Sequence, residues 1–177
     1  MKDRKVFLKS VGGIDYYECT PSLLKLYDKC YSGEDVPPYF SRIIHRVRMA
    51  REIYKSDYRV IYMKVEYKTV GHLVVGRGGS RIAMSTSEDI VIGPVWTVPS
   101  ERGKGYASAG IGFVLHELGR EYANAFEYIN EKNAASIRTV EKNGFSYVAR
   151  CGEFGLMRKI REDEKGDLLV FRYASGK

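Results

Sequence analysis

A chain of 177 residues, 44% of them hydrophobic, can bury one sizeable core and offers no clear material for a second domain. Its net charge of +7 favours anionic partners, which include nucleic acid, an anionic membrane surface and phosphorylated small molecules. The basic residues are scattered along the chain instead of forming a tail or a tract interleaved with aromatics, and this pattern disfavours nucleic-acid binding.

Targeting and redox signals are weak. No run of about 18 apolar residues is present, and the first ten residues lack the apolar segment and cleavage site of a signal peptide. The three cysteines, Cys19, Cys30 and Cys151, have no CxxC spacing, so they predict neither a disulfide framework nor a metal site. We therefore expect a cytoplasmic protein without a membrane segment or a metal, and leave a homodimer open.

The first 57 residues are predicted to form a short strand pair and two helices. Residues 6–11 and 14–19 have strand composition on either side of Gly12-Gly13. Thr20-Pro21 supplies a cap and a first-turn proline for one helix. After Pro38, an apolar period of about 3.6 residues predicts a second helix to about Lys55.

The middle of the chain predicts strands. Residues 59–67 alternate in polarity and are expected to form a hairpin with residues 70–76 through a tight connection at Lys68-Thr69. A polar loop, 77–89, follows. Residues 90–98 are apolar on both faces, which is typical of a strand in the centre of a sheet.

The remaining elements alternate. A long helix is predicted to about residue 122, then a strand over 125–130. Asn133 is a good cap for a helix that ends at Asn143-Gly144. Residues 145–158 are predicted to be one long or bent strand, 161–167 a charged turn, and 168–173 a closing strand.

The junction between residues 98 and 106 predicts an anion site. A helix that begins after a glycine-rich turn presents unpaired N–H groups and the positive end of its dipole, which suits a pyrophosphate. Gly103 and Gly105 allow close approach of the main chain. The turn is neither GxxxxGK[ST] nor GxGxxG, since Ser108 follows Gly105 by three residues. On glycine spacing alone, a solvated basic turn is an equal interpretation.

Two further features strengthen the anion-site interpretation. Gly93 and Pro94 interrupt a strand that is otherwise built to be central, which indicates a bulge or a splayed strand pair with main chain exposed to an extended ligand. The segment from Asn133 to Ser136 opens the next helix on the same side and can add polar contacts.

These residues resemble the GNAT family of N-acetyltransferases. Residues 102–107, RGKGYA, are similar to the family's acyl-CoA motif Q/R-x-x-G-x-G/A, and 95–99, VWTVP, lie where the family has an L-x-V-x-P strand end. Residues 133–145, NAASIRTVEKNGF, resemble the second motif, in which an Asn opens a helix that ends in Gly-Phe. The resemblance covers about residues 58–158.

The resemblance implies an α/β (α+β) fold with a mixed, mostly antiparallel sheet of about six to seven strands, about four flanking helices and splayed central strands. It implies one domain over 1–177: an N-terminal strand and acceptor-side helices in 1–57, an acetyl-CoA-binding core in 58–145, and C-terminal strands in 146–177.

The resemblance also implies that acetyl-CoA is the acyl donor. Main chain at residues 95–97 would pair with pantetheine, N–H groups near residues 102–108 would hold the pyrophosphate, and Asn133 would bond pantetheine, with helix capping as the alternative for Asn133 and Ser136. The implied donor-binding residues are Val95, Trp96, Thr97, Arg102, Gly103, Lys104, Gly105, Tyr106, Ala107, Ser108, Asn133 and Ser136. Arg138 and Lys142 would meet a phosphate or form a solvated helix face.

The catalytic groups are less clear. Many family members have a tyrosine seven residues after the motif Asn as general acid, and Val140 stands there, so the acid is unassigned. Asp89, Glu66 and His72 are candidate bases, with ordinary polar roles as the alternative. Candidate acceptor-binding residues are Tyr39, Phe40 and Arg42, with a basic outer helix face as the alternative.

The leading functional hypothesis is acetyl transfer from acetyl-CoA to a primary amine of a small molecule, an amino sugar or a protein, by direct attack in a ternary complex. A CoA-binding regulatory or interaction module without turnover is the alternative, motivated by Val140. A nucleic-acid-binding module is favoured by charge alone.

Overall fold

The structure, a computed structural model, describes residues 5–21, 50, 55–119 and 121–176. In these ranges the chain forms one sheet in the order β1-β2-β3-β4-β5-β6-β9-β7-β8. The strands are β1 (Lys5–Val11), β2 (Ile14–Cys19), β3 (Arg59–Val65), β4 (Lys68–Arg77), β5 (Ile90–Thr97), β6 (Asn124–Asn130), β7 (Ser146–Phe154), β8 (Lys159–Glu162) and β9 (Leu168–Ala174). The helices are α1 (Tyr106–His116) and α2 (Ala134–Lys142), with a short 3₁₀ helix at Pro99–Glu101.

All neighbouring strands pair antiparallel except β5 and β6, which are parallel. The β5–β6 ladder has only two residue pairs, Ile90 with Ala125 and Val91 with Phe126, and the strands then separate. The predicted mixed, mostly antiparallel sheet with splayed central strands is therefore confirmed. It has nine strands in the described residues, more than the six to seven predicted.

Two predicted boundaries in the sheet are wrong. The β3–β4 turn is at Glu66 and Tyr67, whose φ angles are 47° and 67°, while Lys68 is already paired with Val65. The predicted strand over 145–158 ends at Phe154, because the chain turns at residues 155–158. Residues 159–162, assigned in part to a charged turn, form β8 against β7.

The predicted helix to residue 122 is too long, because α1 ends at His116. Its end is closed by Tyr122, whose hydroxyl donates to the carbonyl oxygen of Leu115 at 2.8 Å. The second helix agrees with prediction: Asn133 is its N-cap, and Gly144 follows it with a φ of 82°. Most of the two helices predicted between residues 20 and 55 lies outside the described residues.

The core lies between α1 and the sheet. Ile111, Val114 and Leu115 of the helix are buried against residues from β2 to β6. Gly110 allows the close approach, because a Cβ there would lie 2.6 Å from Leu73 Cδ2 and 2.7 Å from Met63 Sδ. This packing holds the N-terminus of α1 beside the end of β5. No helix in the described ranges is long and apolar enough to cross a membrane.

The second helix is joined to the first at the same end. The side-chain amide of Asn143 donates to Ser108 Oγ at 2.9 Å and to the carbonyl oxygen of Thr139 at 2.8 Å. Because Ser108 belongs to the first turn of α1, this contact sets the separation of the two helices beside the glycine turn. The fold thus places β5, the turn and α2 around one space.

Candidate functional site

A cleft of about 650 Å³ opens where β5 ends and α1 begins. It is bounded by the end of β5, the glycine turn, the first turn of α1, and α2. Eleven of the twelve residues predicted to bind the donor line it: Val95, Trp96, Thr97, Arg102, Gly103, Gly105, Tyr106, Ala107, Ser108, Asn133 and Ser136. The cleft also includes Glu101, Ala135, Arg138, Thr139 and Lys142, so the two cations predicted one turn apart on α2 face it.

The turn has the backbone geometry that an anion site requires. Gly103 and Gly105 have φ angles of 80° and 84°, in the left-handed region that side chains disfavour. Gly105 is also the N-cap of α1 and has no side chain to bond the first-turn N–H groups. A Cβ built at either glycine would meet nothing within 4 Å, so the main chain is open to an approaching group. The N–H groups of the first turn therefore face the cleft with the positive end of the helix dipole.

The charges around the turn are partly neutralised by one another. Glu101 bonds both Lys104, at 2.8 Å, and Lys68, at 3.0 Å. Hydrogen bonds from Lys104 and Lys68 hold the pKa of Glu101 below its usual range. Lys104 is the predicted donor-binding residue that is absent from the described cleft lining. Arg102 Nε donates to the carbonyl oxygen of Thr97 at 3.3 Å, which fixes the turn onto the end of β5.

Asn133 lies at the opposite wall of the cleft. Its Oδ1 accepts a hydrogen bond from the N–H of Ser136 at 3.2 Å, so the capping interpretation is correct. The capped helix begins at the cleft, whose lining includes both Asn133 and Val95 of β5. Capping and donor binding are compatible roles for this residue, and the binding role remains a prediction.

The separation of β5 from β6 forms a second cavity of about 200 Å³. Gly93, with a φ of 122°, adopts a backbone conformation that favours glycine at the point where the strands part. The cavity is lined by Ile92, Gly93, Pro94, Val95, Glu127, Tyr128, Ile129, Asn130, Asn133 and Ser136. Val95, Asn133 and Ser136 line both spaces, so the cleft and the cavity adjoin at these three residues.

Glu127 on β6 lines this second cavity and is a candidate site residue that sequence reasoning missed. It is 5% exposed, and its Oε1 has no hydrogen-bond partner among the described residues. Burial raises the pKa of Glu127 to about 8. The signal was present in the alternation of β6, where Ala125, Glu127 and Ile129 share one face and the other two are core residues. A carboxyl group on the core face of a strand is unusual without a partner.

Asp89, a predicted base, is bonded as a structural residue. Its two carboxylate oxygens accept four hydrogen bonds: from the N–H and hydroxyl of Thr86 at 2.7 and 3.0 Å, and from the N–H and side-chain amide of Asn124 at 3.0 and 2.8 Å. Burial raises the pKa of this carboxyl, but the hydrogen bonds outweigh burial and lower it overall. Asp89 precedes β5, whereas both cavities lie toward the other end of that strand.

The other two predicted bases lie in different environments. Glu66 is exposed in the β3–β4 turn. His72 is fully buried on β4, with ring centroids 5.9 Å from Tyr62 and 5.7 Å from Trp96, and burial lowers its pKa to about 4. Neither residue is among the described lining of the two cavities.

Val140 stands on α2 where many family members have a tyrosine acid. Val140 is 1% exposed and belongs to the main core, so its position is filled by apolar packing. The predicted acceptor residues Tyr39, Phe40 and Arg42 lie outside the described residues. The described residues contain no cluster of three or more His, Cys, Asp or Glu side chains able to hold a metal ion.

Comparisons with known proteins agree with this geometry. The model of the acetyltransferase (GNAT) family matches residues 20–145, which is more than half of the chain. The chain therefore belongs to the GNAT family of acetyltransferases. No curated protein matches the sequence.

Solved structures show the same fold at low sequence identity. A Desulfovibrio desulfuricans protein assigned to the GNAT family has a TM-score of 0.61 and 14% identity, over 92% of this chain and 99% of that one. A Salmonella typhimurium protein, assigned as an acetyltransferase and solved with its cofactor acetyl-CoA, has a TM-score of 0.53 and 21% identity, over 72% of this chain and 69% of that one. A ribosomal-protein-alanine N-acetyltransferase from Brucella melitensis has a TM-score of 0.54 and 19% identity, over 73% of this chain and 75% of that one.

Proposed function

We propose that this protein transfers an acetyl group from acetyl-CoA to a primary amine by direct attack in a ternary complex. The observation that carries the proposal is that two spaces share three lining residues, one space suited to the donor and one beside a buried carboxyl group. Family membership supports acyl transfer in general. The amine acceptor and the direct-attack mechanism are the added parts of the proposal.

The donor cleft supplies positioning. First-turn N–H groups of α1 would bind the pyrophosphate, and Arg138 and Lys142 on the facing helix would neutralise phosphate charge. The end of β5, freed from β6, has main-chain groups that pantetheine can pair with in place of a strand. The thioester would then extend past Val95 and Asn133 toward the smaller cavity, because these residues line both spaces.

The reaction requires a neutral amine next to the thioester carbon and routes for two protons. Holding both reactants in adjoining spaces converts a bimolecular attack into an oriented one, which is a large part of the rate in such reactions. Main-chain N–H groups exposed on β5 at the splay are suited to polarise the thioester carbonyl.

Substitution of Gly105 by Glu tests the donor site. The new side chain and its negative charge would occupy the space proposed for the pyrophosphate, so acetyl-CoA should no longer raise the melting temperature in a thermal-shift measurement. Gly119→Glu is the matched control, because Gly119 also has a positive φ, of 70°, and open space around its Cβ position. It lies after α1 and outside both cavities. Equal stabilisation of the two variants by acetyl-CoA would refute the site.

Turnover separates the enzyme from the alternative of a CoA-binding module. The wild-type protein should release free thiol from acetyl-CoA in the presence of at least one class among small amines, amino sugars and peptides, with a mass increase of one acetyl group on the acceptor. Thermal stabilisation by acetyl-CoA without thiol release across that panel would favour a regulatory module.

A further inference from the structure

Glu127 is a buried carboxyl group at the place where the two proposed substrates meet. It lines the cavity between β5 and β6, whose apolar lining residues include Ile92, Pro94 and Ile129. The β5–β6 register ends at Val91 and Phe126, so Ile92 and Glu127 are the first residues on either side of the opening. A buried acid with an unpartnered oxygen costs stability, and its retention in a cavity indicates a role toward a ligand.

The transfer moves two protons in opposite directions. The amine nitrogen must lose a proton after attack, and the sulfur of CoA must gain one as it leaves. The position expected for a separate acid on α2 is Val140, which is apolar and packed into the core. Among the described residues lining the cavity, Glu127 and Tyr128 are the ionisable ones.

We propose that the Glu127 carboxyl performs both proton transfers, accepting the proton of the attacking amine and delivering it to the CoA sulfur. This inference rests on the proposed acetyl transfer. It assigns to one side chain two steps that otherwise need a base and a separate acid.

The steps balance. The amine lone pair forms the N–C bond, and the carbonyl electrons move to oxygen. Glu127 in its ionised form takes one proton from the nitrogen and becomes a carboxylic acid. Collapse of the adduct re-forms the carbonyl and breaks the C–S bond, and the thiolate takes that same proton from Glu127. The products are the N-acetyl amine and free CoA, and the carboxylate is restored.

The surroundings suit a group that both accepts and donates. Burial raises the pKa of Glu127 to about 8, toward the value of about 8.5 for a cysteine thiol, so the protonated carboxyl group can return its proton to a thiolate. Strand β5 carries no ionisable side chain, and β9 places Phe171 opposite Glu127. Arg138 and Lys142 of α2 line the donor cleft and not this cavity.

Two hydroxyl groups also line the cavity and are the competitors for the acid role. The ring of Tyr128 packs with the cluster on the other face of the sheet, where the Arg81 guanidinium lies 5.2 Å from its centroid. Ser136 is in the first turn of α2, and its N–H is bonded to Asn133. Variants of these two residues decide between one proton carrier and two.

The first test is the Glu127→Gln variant, with Glu164→Gln as the control because Glu164 is exposed in the turn before β9. We expect kcat for thiol release to fall by about 100-fold or more in Glu127→Gln. Thermal stabilisation by acetyl-CoA should remain, which shows that the variant is folded and binds donor. Glu164→Gln should keep the wild-type kcat. Unchanged kcat in Glu127→Gln overturns the inference while leaving the proposed function intact.

The second test separates a relay from a simple base. Acetyl-seleno-CoA releases a selenolate, a weaker base than a thiolate, which leaves without a proton. If Glu127 protonates the leaving group, the loss of kcat in Glu127→Gln should be at least about tenfold smaller with the selenium donor. An equal loss with both donors means that Glu127 acts only on the amine, and it overturns the relay.

The hydroxyl variants complete the test. In Tyr128→Phe and Ser136→Ala, any loss of kcat should be the same with the sulfur and the selenium donor. A loss confined to the sulfur donor in either variant identifies that hydroxyl as the acid and overturns the single-carboxyl relay. Absence of thiol release by the wild type with every amine would overturn both this inference and the proposed function.

Discussion

The two adjoining spaces present their polar groups in opposite ways. The donor cleft presents main-chain N–H groups from a turn with two left-handed glycines, and its cationic side chains Arg102, Arg138 and Lys142 are exposed. The smaller cavity between β5 and β6, called the splay cavity below, has apolar walls and one buried carboxyl group, that of Glu127. The first arrangement leaves its polar groups hydrated until a ligand arrives, whereas the second pays a desolvation cost in the folded protein before any ligand binds. We therefore expect the cavity, and not the cleft, to limit stability.

The largest expected effect concerns the pH dependence of stability at Glu127. Because its pKa is 4.5 in the unfolded chain and about 8 when folded, the native state keeps a proton that the unfolded state has released. The free energy of unfolding should therefore fall as pH rises between these values, by roughly 4–5 kcal/mol at about 1.4 kcal/mol per pH unit. Urea denaturation of wild type and Glu127→Gln at pH 5 and pH 8 measures this.

Glu127→Gln should gain stability relative to wild type at pH 8 and much less at pH 5. Glu164→Gln is the control for loss of a charge, and its difference from wild type should not change with pH in this way. A constant difference between wild type and Glu127→Gln across the range would show that the carboxyl is not desolvated, and the contrast between the two spaces would be wrong.

A smaller effect is expected at Asp89, a buried carboxylate with four hydrogen bonds outside both spaces. Asp89→Asn places amide hydrogens against the N–H and side-chain donors of Thr86 and Asn124. We expect a loss of about 1–3 kcal/mol in the free energy of unfolding, with kcat unchanged for the folded fraction. Because hydrogen bonds lower the pKa of Asp89, its stabilising contribution is present above the unfolded value of 3.8 and is lost as pH falls through the folded value.

Denaturation and thiol release measured on the same Asp89→Asn preparation separate its two candidate roles. A kcat reduced about 100-fold in protein that remains folded would restore Asp89 as a catalytic base. A buried carboxyl group outside the splay cavity, that of Asp89, would then also have a functional role.

The smallest effect is expected in the donor cleft. Glu101 neutralises Lys68 and Lys104 beside the turn, so Glu101→Gln should free both cations for phosphate and tighten acetyl-CoA binding by about two- to fivefold at low salt. The gain should shrink at high salt because both lysine side chains are exposed to solvent. Isothermal titration calorimetry measures both, with Glu141→Gln on the exposed face of α2 as the control. Weaker binding by Glu101→Gln would mean that Glu101 positions the lysines instead of competing for them.

The structure brings the predicted donor-binding residues together around one cleft but places none of the predicted bases in either described cavity lining, and the reason is locality. Left-handed glycines, the Asn133 cap and an interrupted strand at Gly93 each act through a few neighbouring residues, so their patterns carry the geometry directly. The predicted bases were chosen by residue type and approximate position. The structure instead gives Asp89 four local hydrogen bonds, leaves Glu66 in an exposed turn and buries His72 away from the described cavity linings.

By itself, the sequence determined the family resemblance, the alternation of strands and helices in the second half of the chain, and the glycine turn that precedes α1. Only the tertiary structure decided where the sheet splays and which side chain it buries there. In the sequence, Glu127 is an ordinary acidic residue of a seven-residue strand. In the fold, β5 separates from β6 after two residue pairs and α1 packs on the core beside the opening, so that the Glu127 side chain is buried. Burial and the absence of a partner depend on residues far apart in the chain, and local patterns do not encode such contacts.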